Sequence, residues 1–517
     1  MEAPRDLRAA RLEKMAKMRE LGFEPFPHTF RRTHACRQVH EAFGELEGEG
    51  GLRVAGRLRA MRPMGKASFV HIEDATGRLQ LYIRKDRVGE ESYRLLKLLD
   101  LGDLIGAEGE AFRTRTGEIS LQVDSIEVLA KAVRPLPVVK EKDGIVYDAF
   151  RDREARYRQR YLDLILNPDS REVFRRRAET IRFLRRYLDE MGFLEVETPI
   201  LQSIYGGGLA NPFKTHHRAL EMDLYLRIAE ELPLKKLIVG GLERVYELGR
   251  VFRNEGLDRQ HNPEFTLLEF YWAYADYHDA MDLVEDMFRR AAAAIAGEEA
   301  ASYEGQRIDF AKPFARASML GLIEEHTGVS VAPLPVESLH ELCRKHGGEM
   351  PASTPRGKLI EKVFDLTVQP HLVQPTFVMD HPLEVSPLAK RHREHADLVE
   401  RFELFIAGME FANAFTELND PIDQRQRFEM QTSLREAGDE EAHPLDDEYV
   451  EALEHGMPPT AGVGIGIDRL VMLLTGSSAI RDVLLFPHMR PLEESEEGAD
   501  GADGAEGADG ADGAEGA

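Results

Sequence analysis

The chain has 517 residues, 43% hydrophobic and 31% charged, the balance of a soluble globular protein with room for about three domains. A formal net charge of −25 argues against a general nucleic-acid binder, and no apolar run reaches membrane-spanning length. With no signal-type apolar core at the N-terminus and only two distant cysteines, Cys36 and Cys343, a reducing cytoplasmic compartment is expected. The charge is unevenly spread. Residues 53–89 carry nine basic against three acidic side chains, whereas 493–517 carry ten acidic and no basic ones. A small basic module near the start can therefore still meet phosphates.

Residues 1–50 read as a helical extension. Leu7, Leu12, Met15, Met18 and Leu21 keep helical spacing over 5–21, and Gly22 closes the helix. Over 51–140 the pattern changes to five short strands (LRVAGRLRAM, ASFVHIEDA, RLQLYIR, LIGAEGEAF, ISLQVDSIEVLA), with a helix-like YRLLKLLDL after the third. That order is that of an OB-fold, a barrel often used for oligonucleotides. Phe69 and His71 alternate outward on the second strand and Gln80 lies on the next; on pattern alone Phe69 is a stacking ring or barrel core with equal weight.

Pro135, Pro137 and a polar run mark a connection over 135–168, in which 141–168 reads as the linker and YRQRYLDL resumes regular structure. In 169–491 a long helix comes first, with Phe174, Ala178, Ile181, Leu184, Leu188 and Met191 on one face, and then a strand FLEVETPIL broken by Pro199. After the triple glycine 206–208 and DLYLRIAEELPLKKL comes ERVYELGRVFRNEGLDRQHNPEFTLLEFYWAYADY. Read with a period of two, Tyr246, Leu248, Phe252, Leu268, Phe270 and Trp272 share an apolar face. Glu247, Arg253, Phe265, Glu269 and Tyr271 share the other. This is an antiparallel hairpin whose alternation is ordinarily that of one solvated face. Its loop, however, crowds Arg253, Glu255, Arg259, His261 and Asn262 where a turn needs one or two polar residues.

Residues 278–370 read as a mostly helical insertion. In RFELFIAGMEFANAFTELND, Glu403, Glu410, Asn413 and Glu417 stand out. A helix would put Glu410, Asn413 and Glu417 on one face, and a regular strand would turn Glu410 away from the other two. In GVGIGIDRLVMLL the alternating Gly462, Gly464 and Gly466 leave a strand face bare, and Asp468 is placed to cap a helix with Arg469 in its first turn. The Gly-Ala-acid triplets of 492–517 are expected to be a disordered, solvating tail.

FRNEGLDRQHNPEF resembles motif 2 of the class II aminoacyl-tRNA synthetases, and specifically of the lysyl-tRNA synthetases. The helix–strand–proline unit resembles their motif 1, and GIGIDRL their motif 3. The resemblance runs from about Leu52 to Pro491 and implies an α+β multidomain protein. An OB-fold barrel would precede a class II catalytic domain, an antiparallel sheet flanked by helices. It implies a homodimer, ATP, L-lysine and tRNA(Lys) as substrates, Mg2+, and no membrane. Phe69, His71, Gln80 and Glu118 would read a uridine-rich anticodon, and Gly207 and Glu231 would hold the α-amino group. Pro233 departs from the family pattern, which usually has tyrosine there.

The residue types point the same way. Arg253 and Arg469 supply cations for triphosphate oxygens, with His261 as a further donor and Asn262 beside it. Phe265 offers a face for adenine and Glu255 an acceptor for its amino group. Glu403 and Glu410 are hard oxygen ligands suited to magnesium. Glu269, Glu417, Tyr271 and Asn413 make an anionic pocket that a terminal ammonium neutralises. The resemblance further implies Arg253 on the α-phosphate and the substrate carboxylate, and Arg469 on the γ-phosphate.

Overall fold

A computed structural model describes residues 4–137, 140–142, 145–147, 150–208, 210–436 and 444–491. The acidic tail 492–517 lies outside them, as does part of the expected linker. The chain divides into two compact units, Met1–Arg153 and Glu154–Ala517.

In the first unit the strands Leu52–Met64, Ala67–Glu73, Arg78–Arg84, Ile119–Ala130 and Leu104–Arg113 close, in that order, into a barrel. Arg78–Arg84 and Ile119–Ala130 pair in parallel and the other neighbours are antiparallel. Alternation does the folding: Val70 and Ile72, Leu79, Leu81 and Ile83, and Leu121 and Val123 are buried in one core. Gly109 sits where the register shifts against the last strand, and a Cβ there would meet the Gln122 carbonyl oxygen at 2.1 Å. Only glycine allows that bulge. The helix expected at YRLLKLLDL is displaced, since helices cover Lys85–Val88 and Glu90–Leu95 while Leu96 and Leu99 cap the core from a turn. Helix Pro4–Glu20 anchors through Met18, while Leu7 and Leu21 are exposed.

The second unit is built on an eight-stranded sheet. Its order is Ala315–Ser318, Thr376–Pro382, Leu398–Ile406, Met409–Thr416, Thr460–Gly466, Glu264–Ala273, Arg244–Phe252, Leu194–Glu195. The six central strands are antiparallel and each edge strand pairs in parallel. Helices Pro168–Glu190, Tyr277–Ala296 and Ile467–Thr475 pack on one face with Tyr246, Leu268 and Phe270, as the hairpin alternation requires. The opposite face is not solvated. Helices Glu231–Val239 and Asp447–Glu454 contribute to a second core there with Val245 and Tyr271, and Glu247 and Glu269 are buried.

Three further expectations are corrected. The motif 1 strand shrinks to two-residue pairings at Leu194–Glu195 and Leu201–Gln202. Within 278–370 the helix Tyr277–Ala296 belongs to the main core, short strands follow it, and only Met319 onward builds a separate cluster. Part of the stretch read as linker packs into the second unit: Arg160 is buried, donating to the Arg481 and Leu484 carbonyls and pairing with Asp163 at 2.6 Å.

Candidate active site

The second face of the sheet carries a cavity of about 430 Å3. Every residue expected at the nucleotide and amino-acid sites lines it, together with Glu410; Glu403 does not.

At its closed end the hairpin holds Glu269 and Tyr271 side by side, and the Tyr271 hydroxyl donates to Glu269 Oε2 at 3.0 Å. The backbone N–H of Glu230 donates to Glu269 Oε1 at 3.1 Å. Glu231 opens helix Glu231–Val239 and abuts Gly207, where a Cβ would meet Glu231 Cβ at 2.8 Å. Gly207 has φ +82°, so glycine meets both the conformational and the steric demand. Glu417 follows the strand Met409–Thr416 and is wholly buried. Burial pushes both Glu269 and Glu417 up to about 8, with like charge from Glu231 adding to it. The bare strand face now has its explanation: a Cβ on Gly462 would sit 1.9 Å from Glu417 Oε1 and 2.5 Å from Tyr271 Cε1.

Whether Glu410 and Asn413 face together is settled by a β-bulge. Leu404 pairs with Ala412 but Phe405 pairs with Glu410, leaving Phe411 as the extra residue. The bulge reverses the alternation, so Glu410 and Asn413 both line the cavity from an extended chain, which a regular strand would not allow.

At the open end Arg253 lies over the Phe265 ring, its guanidinium carbon 5.2 Å from the centroid. Arg469 donates to the Glu410 carbonyl at 2.6 Å and lies 3.6 Å from its carboxylate. His261 is held by Asp258, with Nδ1 2.7 Å from Oδ2, so its Nε2 accepts from Arg469 Nη2 at 3.1 Å. Its ring thus sits against Arg469 at the cavity wall, beside the cation with which it was expected to serve the triphosphate. Asn262 is buried, donating to the Glu264 carbonyl at 2.6 Å with its own carbonyl oxygen unpaired. Asp468 does not cap the following helix. The cap position is Gly466, and the Asp468 carboxylate takes Arg177 at 2.6 Å and the Thr266 N–H at 2.7 Å, which still leaves Arg469 in the first turn.

The barrel brings its four expected residues to one face. His71 pairs in register with Gln80; Glu118 accepts from Gln80 Nε2 at 2.9 Å and lies 3.3 Å from His71 Nε2. Phe69 is half-buried and stacks on Tyr82 with centroids 4.8 Å apart, so it is a surface ring rather than core.

Residues 152–490 match the family of class II tRNA synthetases (D, K and N). The chain belongs to that family. Residues 52–129 of this synthetase match the OB-fold nucleic acid binding domain. Among curated relatives, the chain is 54% identical to a lysine–tRNA ligase of Moorella thermoacetica, over 96% of this chain and 100% of the relative. It is 52% identical to one of Pelotomaculum thermopropionicum, covering 94% and 96%, and 50% identical to one of Enterococcus faecalis, covering 95% and 98%.

Two side chains of the synthetase site were not singled out from sequence. Arg401 donates to Asn413 Oδ1 at 3.1 Å and to Glu403 Oε1 at 2.5 Å, tying the amino-acid end to the expected metal ligand. Its signal was its place two residues before Glu403, on the same strand face. Lys235 lies beneath the pocket, and its signal was the i, i+4 spacing from Glu231. Pro233 stands in the first turn of its helix, where a missing N–H is tolerated, so the departure leaves Glu231 in place.

Proposed function

We propose that this synthetase activates L-lysine with ATP and transfers it to tRNA(Lys), acting in the cytoplasm as a homodimer. The observation that carries the substrate is the buried carboxylate set of Glu231, Glu269 and Glu417 at the closed end of the cavity. Buried carboxylates demand cations, and a ligand with an ammonium at each end of a chain supplies them. A shorter or neutral side chain leaves them unpaired, so discrimination follows from binding alone.

The reaction has two steps. The lysine carboxylate, steered by Arg253, attacks the α-phosphorus of ATP in line and pyrophosphate leaves. The terminal adenosine hydroxyl of the tRNA then attacks the acyl carbon of the adenylate, releasing AMP. Arg253 neutralises charge at the α-phosphate, Arg469 at the γ-phosphate, and Phe265 stacks on adenine with Glu255 accepting from its amino group. Glu403 and Glu410 fit Mg2+: burial and then repulsion by Glu403 raise the Glu410 carboxyl, as expected of a pair that a cation would relieve. Held by these two carboxylates, the ion would supply positive charge against the triphosphate. For the dimer, Leu194, Ile200, Leu201 and Ile204 form an exposed apolar row along the motif 1 segment.

Lysine-dependent ATP–pyrophosphate exchange without tRNA tests this reading. Exchange with aspartate or asparagine instead would overturn the pocket assignment. Phe69→Ala is expected to leave that exchange unchanged while weakening tRNA(Lys) binding by about 1–3 kcal/mol, the worth of one stacked base; filter binding measures it. A pH effect is also expected. Glu269 and Glu417 are raised to about 8, so they support the ligand-free fold fully below about 4.5, and this is lost as pH rises through about 8. Lysine supplies the missing cations, so its stabilisation should grow from pH 6 to 9, read as the lysine-induced shift in Tm.

A further inference from the structure

Beneath the amino-acid pocket, and not lining it, Lys235 is completely buried. Its Nζ lies 2.5 Å from Glu231 Oε1 and 2.5 Å from Glu417 Oε2. It also sits 6.0 Å from the Phe415 and Tyr449 ring centroids. Glu231 and Glu417 are the carboxylates proposed for opposite ends of the substrate. One internal cation is thus shared between the two ammonium sites.

We propose that Lys235 is a positioning residue that sets the charge of the pocket: it cancels one of the three carboxylates Glu231, Glu269 and Glu417, leaving a deficit of two, the number of ammonium groups on free lysine. The proposal rests on the lysine reading above. Two charges match the α- and ε-ammonium groups, while Arg253 meets the substrate carboxylate. A pocket of three uncompensated carboxylates would keep a proton in the complex, and one end of the substrate would face a neutral acid.

The groups facing this cluster support the count. From the segment preceding helix Glu231–Val239, Arg227 pairs with Glu247 of the hairpin at 2.5 Å and with Glu230 at 3.0 Å. Glu230 is pushed up to about 10 by burial and by Glu269, so it stays protonated and that trio is neutral. Tyr271 from the hairpin and Tyr449 from helix Asp447–Glu454 are raised and stay neutral. Lys235 is raised by Glu231 and Glu417 against its burial and stays charged. The strand Thr460–Gly466 brings no ionisable side chain: it lines the cavity with Gly462, Val463, Gly464 and Gly466.

The count predicts protons. Without ligand, three carboxylates and one cation take up two protons below pH 8, and lysine displaces both. Between pH 5.5 and 7 the kcat/KM for lysine in ATP–pyrophosphate exchange should rise about a hundredfold per pH unit, one factor of ten per proton. Glu417→Gln leaves two carboxylates against one cation, so the rise should fall to about tenfold per unit, whatever the loss in absolute rate. Lys235→Met/Glu417→Gln removes the cation as well, and the rise should return to about a hundredfold. A neutral or merely structural Lys235 predicts a hundredfold rise in both variants, and that result overturns the proposal. If the double variant does not fold, Glu417→Gln alone decides between tenfold and a hundredfold. Wild type that exchanges with no amino acid, or with another one, refutes the lysine reading itself and is distinct from either slope.

Discussion

Arg253→Ala is expected to lower lysine-dependent ATP–pyrophosphate exchange at least about 10³-fold, the scale on which a guanidinium stabilising a transferring phosphoryl group contributes. The side chain leaves the hairpin end at Phe252, rests on Phe265, and has Ile228 O as a backbone acceptor at 3.4 Å. These contacts hold it over the cavity without a carboxylate within ion-pair distance among the described residues, so its charge remains available to the reacting groups. Burial lowers its pKa, which marks the cost of keeping a cation there without an anionic ligand. Removal should therefore leave the fold and the proposed dimer unchanged, and thermal melting with sedimentation would verify that. Near-normal exchange in this variant would remove Arg253 from its role.

Gly462→Ala is expected to raise the KM for lysine at least about a hundredfold, the scale of leaving a buried charged group mispaired. The KM for ATP should change by less than about threefold, because Gly462 is remote in chemistry from the phosphate end. The added methyl would overlap Glu417 Oε1 at 1.9 Å and the Tyr271 ring at 2.5 Å. Neither neighbour can yield: both are buried, Glu417 lies 2.5 Å from Lys235, and Tyr271 donates to Glu269. The carboxylate must move off the ammonium site. Overpacking should also cost about 1–3 kcal/mol of stability. An unaltered KM for lysine would show that Glu417 is not at the side-chain end.

Much of this is legible in the sequence. The hairpin alternation, the glycine strand and the crowded loop Asn254–Asn262 are local patterns, and local patterns survive folding. Tyr246, Leu268 and Phe270 went to the core because a strand has a period of two, and the barrel strands followed for the same reason. The solvated-face reading of Glu247, Glu269 and Tyr271 failed because helix Glu231–Val239, just before the hairpin, and helix Asp447–Glu454, far beyond it, cover that face.

What the sequence by itself determined is the chemistry present: arginines for phosphate, carboxylates for an ammonium, rings for bases, and the strands that carry them. Only the tertiary structure decided where Glu410 points, because a bulge depends on the partner strand and one extra residue reverses every side chain beyond it. It likewise decided the charge of the pocket. Glu231 and Lys235 lie on one helix and Glu417 far along the chain, and the balance between them exists only once folding has excluded water around all three.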